Sequence, residues 1–122
     1  MYEISSQASF SAAHHLLNNN GPCENVHGHN WTVKAIVKCE KLNNLGFGID
    51  FKVIKAALAE TIKTLDHSDL NIIFDPLDIN PSSENIAEYI FKKLEQRINN
   101  NACSVFKVEV SETPGNTAAY YR

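Results

Sequence analysis

The sequence predicts a single α+β domain over residues 1–122, with two helices packed on one face of a four-stranded antiparallel sheet. Two observations predict this class. Apolar and polar residues alternate with a two-residue period at both ends of the chain, in 2–14, 27–39, 104–112 and 117–121. Between these segments, apolar residues recur every three or four positions, in 51–65 and 83–99. The predicted order is therefore ββααββ.

Three histidines continue the apolar faces of the first two predicted strands. In 2–14 one parity holds Tyr2, Ile4, Ala8, Phe10, Ala12 and His14. In 27–39 one parity holds His27, His29, Trp31, Val33, Ala35, Val37 and Cys39. Because alternate side chains of a strand point to the same face, we expect the three imidazoles to point inward with the core residues.

Two amphipathic helices follow. Asp50 is placed to cap a helix over 51–65, whose apolar stripe is Phe51, Ile54, Leu58, Ile62 and Leu65. Ser82 or Ser83 can cap a helix over 83–99, whose buried stripe is Ile86, Ile90, Leu94 and Ile98. The segment 72–81 between the helices is predicted to be a loop.

The last two strands place a carboxylate on the inner face. In 104–112 we expect Phe106, Val108 and Val110 to face the core, with Lys107 and Glu109 on the other side. Glu112 shares the apolar parity, and an unpaired buried charge is costly. Two parallel N–H donors would suit it, such as the 2-amino and N3–H edge of a pterin or guanine. A turn at 114–116 then leads into 117–121.

Composition and charge exclude several functions. The net charge is −3 without a Lys/Arg cluster, which argues against nucleic acid as a partner. No apolar run approaches the ~20 residues of a membrane helix, and the N-terminal residues lack a secretory signal pattern. The odd number of cysteines and their wide spacing argue against a disulfide framework and for a reducing cytoplasm, with Cys39 and Cys103 as packing residues.

A sheet covered on one side leaves its other face and its edges open. Closure of several copies into a barrel would cover both, so the sequence favours a homo-oligomer.

The segment Cys23-Glu24-Asn25-Val26-His27-Gly28-His29 predicts a metal site. His14, His27 and His29 form a three-imidazole ligand set with an open fourth position, which is the catalytic arrangement of zinc. Copper, nickel and iron(II) also accept imidazole ligands. His15 has the opposite parity from His14, although a bulge could exchange the two.

Cys23 and the Asp66-His67 pair each have two interpretations. The thiol of Cys23 could complete a closed, structural zinc site, or it could lie near the metal as a thiolate base. Asp66 and His67 could relay a proton if they lie in a loop, or they could be ordinary surface residues after a helix.

Together these residues resemble the 6-pyruvoyltetrahydropterin synthase / 6-carboxytetrahydropterin synthase family. The matching motifs span nearly the whole chain in family order: Phe10-Ser11-Ala12-Ala13-His14, Cys23-x-x-x-His27-Gly28-His29, Gly48-Ile49-Asp50-Phe51, Leu65-Asp66-His67-x-x-Leu70-Asn71, Asn80-Pro81-Ser82-Ser83-Glu84-Asn85 and Ser111-Glu112-Thr113. The resemblance implies the tunnelling fold (T-fold), in which ββααββ subunits form a barrel-shaped trimer. Two trimers stack into a homohexamer, with active sites between subunits.

The resemblance also implies roles for individual residues. His14, His27 and His29 would bind Zn²⁺, Cys23 would be the catalytic base, and Glu112 would anchor the pterin. Asp66 and His67 would be relay partners of the thiol, reaching it from a neighbouring chain.

Within the family, three residues between the cysteine and His27 resemble the 6-carboxytetrahydropterin synthase branch of queuosine (7-deazaguanine) biosynthesis. That branch is a zinc-dependent carbon–carbon lyase that converts 7,8-dihydroneopterin triphosphate with loss of triphosphate and acetaldehyde. The alternatives are 6-pyruvoyltetrahydropterin synthase, a branch with glutamate in place of the cysteine that makes a hydroxymethyl pterin, and a non-enzymatic module with structural zinc.

Overall fold

The computed structural model describes residues 1–17, 21 and 24–122. The strands are β1 (Tyr2–His14), β2 (His27–Cys39), β3 (Ser68–Asp69), β4 (Cys103–Thr113) and β5 (Asn116–Tyr121). The α-helices are α1 (Phe51–Lys63), α2 (Leu70–Phe74) and α3 (Ser83–Ile98), and a 3₁₀ turn covers Asp75–Leu77. Most of the predicted loop at 18–22 lies outside the described residues, and so does Cys23.

The sheet has five strands in the order β3-β1-β2-β4-β5. The four predicted strands form an antiparallel sheet, and β1 pairs with β2 along its whole length, from Tyr2↔Cys39 to His14↔His27. The prediction missed β3, which pairs with β1 in parallel at Ala12↔Ser68 and Ala13↔Asp69. Two residues are too few to produce an alternation in the sequence.

The prediction of a loop over 72–81 was wrong for its first part. Helix α2 begins after Asp69, whose side chain accepts a hydrogen bond from the Asn71 backbone N–H, and the 3₁₀ turn follows it directly. Leu70 and Phe74, four residues apart, are fully buried. A helix of five residues is too short to show a repeating apolar stripe in the sequence.

The two long helices begin where their caps predict. Asp50 accepts a hydrogen bond from the Lys52 N–H, and Ser82 accepts one from the Asn85 N–H. Together the helices bury one face of the sheet, in a core that includes Trp31, Val33, Ile54, Leu58, Ile86, Ile90, Leu94, Val108 and Val110. Within the described residues, no helix has the length and apolar character needed to span a membrane.

A bulge in β4 makes the prediction for Phe106 wrong. The β2–β4 register shifts after Ile36↔Lys107 so that Val37 pairs with Val105, which leaves Phe106 without a partner in β2. Val105 is buried in its place. The Phe106 ring lies instead under the Lys38 ammonium, whose nitrogen is 3.6 Å from the ring centroid. An extra residue exchanges the two faces of a strand, which alternation alone cannot reveal.

Cys39 and Cys103 are paired across β2 and β4 and joined by a disulfide. Both residues are buried, so their assignment to the core holds, but the expectation that the chain lacks a disulfide is contradicted. The odd cysteine count could not show that two of the three lie opposite each other on neighbouring strands. The bond closes a loop across a sequence separation of 64 residues.

Two asparagines bind the backbone just beyond the end of β1. The Asn71 side chain, in a residue only 2% exposed, accepts a hydrogen bond from the His15 N–H and donates one to the His15 carbonyl. The Asn80 side chain bonds the Leu17 N–H and carbonyl in the same way, but in an exposed position. These side-chain amides make the backbone hydrogen bonds that a neighbouring strand would otherwise make, and so fix the segment that follows His14.

We expect Asn71→Ala to lower the free energy of unfolding by about 1–3 kcal/mol, because it leaves two partly buried backbone groups of His15 without partners. Urea denaturation measures this change. Asn80→Ala is the matched control: its two bonds are exposed to water, so its cost should be below about 1 kcal/mol. Equal effects of the two substitutions would contradict this account of the β1 end.

The disulfide predicts a specific thiol count. When the purified protein is unfolded without reductant, one of its three cysteines should react with an alkylating reagent, and all three should react after reduction. Intact-mass measurement counts the added groups. Three modified cysteines without reductant would show that Cys39 and Cys103 remain thiols.

Candidate metal centre and adjoining groups

Three imidazoles meet where β1 ends and β2 begins. His14 and His27 are direct partners in the β1–β2 pairing, and His29 lies two residues further along the same face of β2. The ring centroids are 4.5 Å apart for His14 and His27, 4.8 Å for His27 and His29, and 5.4 Å for His14 and His29. The antiparallel register and the two-residue period of the strand therefore bring together the rings that the sequence placed on one face.

Backbone carbonyls orient two of these rings. His14 Nδ1 lies 2.7 Å from the Pro81 carbonyl oxygen, and His27 Nδ1 lies 2.7 Å from the Asn25 carbonyl oxygen. Because a carbonyl oxygen only accepts, Nδ1 carries the proton in each ring. In the neutral ring, Nε2 then keeps a free lone pair, as a metal ligand requires.

Burial favours the neutral form of His14. Its side chain is 1% exposed, and the loss of solvation is the main reason that its pKa lies below the usual 6.5. The hydrogen bond to the Pro81 carbonyl opposes this shift, whereas the neighbouring His27 adds to it. Neutral imidazole is the form that binds metal ions.

Trp31 supports the imidazoles from the core side. Its ring makes edge-to-face contacts with His14 and His29, at centroid distances of 4.9 and 5.3 Å. The indole is fully buried and donates a hydrogen bond from Nε1 to the Ala12 carbonyl at 3.2 Å. The rings of His14 and His29 are thus packed against a side chain that is itself fixed.

Glu112 joins the three imidazoles from β4. Its Oε1 lies 2.8 Å from Nε2 of His29, 3.2 Å from Nε2 of His14 and 4.0 Å from Nε2 of His27. The β4–β5 register shifts between Ser111 and Thr113, so Glu112 is a bulge residue without a partner in β5. Bulges re-aim side chains, and this one aims a carboxylate at the imidazoles.

The four side chains fit a divalent metal ion. One ligand atom from each of His14, His27, His29 and Glu112 lies within 4.8 Å of the others. His29 Nε2 is buried and has no hydrogen bond with acceptable geometry, although Glu112 Oε1 is only 2.8 Å away. A buried nitrogen without a hydrogen bond, among other ligand atoms, is suited to binding a metal ion.

Asp66 and His67 form a separate cluster at the β3 edge of the sheet. Asp66 Oδ1 accepts a hydrogen bond from the Ser11 N–H at 2.9 Å, and the His67 N–H donates to the Ser11 carbonyl at 2.6 Å. Asp66 Oδ1 also lies 3.0 Å from His67 Nδ1, whereas the His67 side chain is 83% exposed. His67 has a φ of 55° and so occupies the left-handed region. Neither residue belongs to the metal-binding group.

The sequence analysis missed the groups that orient the imidazoles. Pro81 was interpreted only as the end of a loop, yet its carbonyl fixes the tautomer of His14. Asn25 acts on His27 in the same way. Both act through backbone oxygens, which carry no residue-specific signal. Cys23 lies outside the described residues, so its two interpretations stay as predictions.

Comparisons with known proteins agree with this architecture. The model of the family described as 6-pyruvoyl tetrahydropterin synthase matches residues 3–122. A 6-carboxy-5,6,7,8-tetrahydropterin synthase from Synechocystis is 37% identical, over 99% of this chain and 94% of that protein. A dihydroneopterin monophosphate aldolase from Pyrococcus furiosus is 34% identical, over 75% of this chain and 74% of its own. The solved Caenorhabditis elegans 6-pyruvoyl tetrahydropterin synthase superposes with a TM-score of 0.86 at 28% identity, covering 99% and 95% of the two chains.

We expect the Asp66 carboxyl to titrate below its usual 3.8, because the Ser11 N–H and then His67 stabilise its charged form and lower its pKa. The stabilisation of the folded state is therefore present above pH 3.8 and is lost as the pH falls through the lower pKa of the folded protein. Carboxyl-carbon NMR measures the midpoint. His67→Ala should raise this pKa only partly, since the Ser11 bond remains; a wild-type midpoint at or above 3.8 would contradict the geometry.

Proposed function

Because the chain belongs to the 6-pyruvoyl tetrahydropterin synthase family, we propose that it is a zinc-dependent 6-carboxy-5,6,7,8-tetrahydropterin synthase. The reaction converts 7,8-dihydroneopterin triphosphate to 6-carboxytetrahydropterin, acetaldehyde and triphosphate, as a carbon–carbon lyase with triphosphate elimination. We place it in queuosine (7-deazaguanine) biosynthesis. The observation that carries the proposal is the meeting of three Nε2 atoms and the Glu112 carboxylate beside a cavity of about 480 Å³.

His14, His27 and His29 would hold the zinc ion through Nε2. Two of them have the proton fixed on Nδ1 by carbonyl oxygens, and imidazole ligands suit zinc. When bound, zinc supplies a Lewis acid that polarises hydroxyl groups on the substrate side chain.

Glu112 would bind the pterin through its 2-amino and N3–H groups. Its carboxylate is 29% exposed and lines the cavity together with Ser83, Asn116 and Thr117. Two parallel N–H donors pair well with the two oxygens of a carboxylate. The ring would then lie beside the zinc ligands, with its side chain directed at the metal.

Cys23 would move the protons, as a thiolate, with Asp66 and His67 as a second proton route. Within one chain, Asp66 and His67 are held at the β3 edge by Ser11, and neither belongs to the metal-binding group. We infer that they act on the thiol of a neighbouring subunit. The exposure of His67, at 83%, agrees with a ring that finds its partner in another chain.

We propose a homo-oligomer, a trimer or a dimer of trimers. The sheet ends in β5 on one edge and in the two-residue β3 on the other, so both edges can pair further. Large apolar side chains are also exposed around the start of α1, among them Leu45, Phe47, Phe51 and Val53. The partners are thus further copies of this chain and a small pterin triphosphate, rather than nucleic acid or a membrane.

We propose a cytoplasmic location, as the odd number and wide spacing of the cysteines suggested. The Cys39–Cys103 bond weighs against it, because disulfides are rare in reducing compartments. Thiol trapping in a freshly lysed host decides the question: two protected cysteines at lysis would overturn the assignment.

The decisive experiment incubates the zinc-loaded protein with 7,8-dihydroneopterin triphosphate and identifies the products. Carboxypterin with acetaldehyde supports the proposal. A pyruvoyl pterin would assign the activity named for the Caenorhabditis elegans relatives, and a hydroxymethyl pterin would favour an aldolase, as named for the Pyrococcus furiosus relative. No turnover would leave the non-enzymatic module with structural zinc.

We expect His27→Ala to lose the stoichiometric zinc that the wild-type protein retains after dialysis, because one of three imidazole ligands is removed. Metal analysis per chain measures the loss. His15→Ala is the matched control: this imidazole is next to His14 in sequence but lies outside the metal-binding group, so zinc should stay at the wild-type level. Zinc retained by His27→Ala would refute the ligand assignment.

We expect Cys23→Ala to keep zinc and bind substrate but to lower kcat by at least about 100-fold, as the loss of a proton-transferring group does. Single-turnover product analysis and zinc content give the two readouts. Rapid alkylation of Cys23 in the zinc-loaded wild-type protein should accompany this result, because a thiolate bound to zinc resists alkylation. Unchanged turnover would remove the thiol from the mechanism.

A further inference from the structure

Glu112 lies between two environments, the imidazole group on one side and the cavity on the other. We propose that Glu112 is the fourth ligand of the metal ion while substrate is absent, and that it leaves the metal when it binds the pterin ring. This inference deepens the proposed function and depends on it for the identity of the ring.

The distances support a fourth ligand at Glu112 Oε1. A tetrahedral zinc ion with bonds of about 2.0–2.1 Å has its ligand atoms about 3.3 Å apart. The three separations between Oε1 and the Nε2 atoms are 2.8, 3.2 and 4.0 Å, which lie on both sides of that value. The carboxylate oxygen is therefore close enough to all three Nε2 atoms to share one metal ion with them.

The orientation of the His14 ring supports a metal ion between its Nε2 and Glu112. Because Nδ1 donates its proton to the Pro81 carbonyl, Nε2 of the neutral ring has a lone pair and no hydrogen. Glu112 Oε1, at 3.2 Å, also presents a lone pair. Two such atoms repel each other unless a positive charge lies between them, and a metal ion bound by both removes the repulsion.

Glu112 has room to turn away from the imidazoles, because its side chain also lines the cavity. The rings of His14 and His29 are packed against Trp31, which is fully buried. Glu112 is 29% exposed, lies at a bulge without a partner in β5, and faces a cavity of about 480 Å³. Its carboxylate can turn toward the cavity without breaking a pair of the β4–β5 ladder.

The consequence is an ordered opening of the metal. While Glu112 stays bound, a protein ligand would occupy the fourth position of the metal. A pterin ring in the cavity offers its N–H pair to the same carboxylate and draws it away. The fourth coordination position would then become free only when a pterin ring is bound. The hydroxyl groups on the side chain of that pterin could then bind the metal.

The test replaces zinc by Co²⁺, whose visible absorption depends on its ligands. In the substrate-free full-length protein we expect Glu112→Gln to change the visible spectrum and to weaken Co²⁺ binding at least tenfold in competition with a chelator. Glu109→Gln is the matched control: it removes a carboxylate from the same strand, outside the metal-binding group, and should leave spectrum and affinity unchanged.

A second measurement uses the unmodified protein and 6-methylpterin, which has the pterin ring edge but no side-chain hydroxyl to bind a metal. We expect saturating 6-methylpterin to shift the wild-type Co²⁺ spectrum toward that of Glu112→Gln and to leave the variant spectrum unchanged. The ring's fluorescence reports its binding. This arm does not depend on whether the variant folds.

Several outcomes would overturn the proposal. Identical spectra and affinities for wild-type and Glu112→Gln would show that Glu112 is not a ligand, and a thiolate-to-cobalt charge-transfer band would assign the position to Cys23. An unchanged wild-type spectrum with bound 6-methylpterin, or no binding at all, would refute the exchange. Failure of the proposed function is separate: it appears as the absence of carboxypterin in the product assay, whatever the cobalt spectrum shows.

Discussion

The hydrogen bond between His14 Nδ1 and the Pro81 carbonyl is the interaction on which the site depends. It joins the end of β1 to the residue just before the Ser82 cap of α3. Asn80 strengthens the same junction, because its side chain bonds Leu17 and its carbonyl accepts from the Asn85 side chain. The start of a helix and the end of a strand are thereby fixed to each other, and the tautomer and direction of the buried imidazole follow from that contact.

The candidate functional groups lie in two places, in the middle of the sheet and at its β3 edge. The central hairpin supplies the imidazoles, β4 supplies Glu112 beside them, and the β3 edge holds Asp66 and His67 through the backbone of Ser11. A single chain therefore carries one group of side chains next to its own cavity and another turned outward. Such a separation fits the proposed homo-oligomer, in which each copy would complete its neighbour's site.

The sequence allowed the main elements and the converging imidazoles to be predicted, because both depend on period and parity. The bounds of β1 and β2 follow alternation, and the starts of α1 and α3 follow the caps at Asp50 and Ser82. The predictions that failed concern features that leave no periodic pattern in the sequence. The bulge at Phe106 inverts a face, β3 and α2 are too short to repeat, and the disulfide needs strand pairing that the cysteine spacing does not show.

Glu112 shows a prediction that was right about direction but could not include the bulge. Parity alone directed this carboxylate inward, and it does reach the imidazoles, but it does so as a residue without a β5 partner. The direction was predictable, whereas the freedom to turn was not. That freedom separates a rigid ligand from one that can exchange partners.

The pairing of His14 with His27 also bears on how the chain reaches its native state. If β1 and β2 paired one residue out of step, His27 and His29 would project through to the opposite surface, and the three rings could not surround one ion. An ion that needs all three rings contributes its binding free energy to the correctly aligned hairpin alone. Metal binding would therefore widen the difference in stability between the correct register and a shifted one.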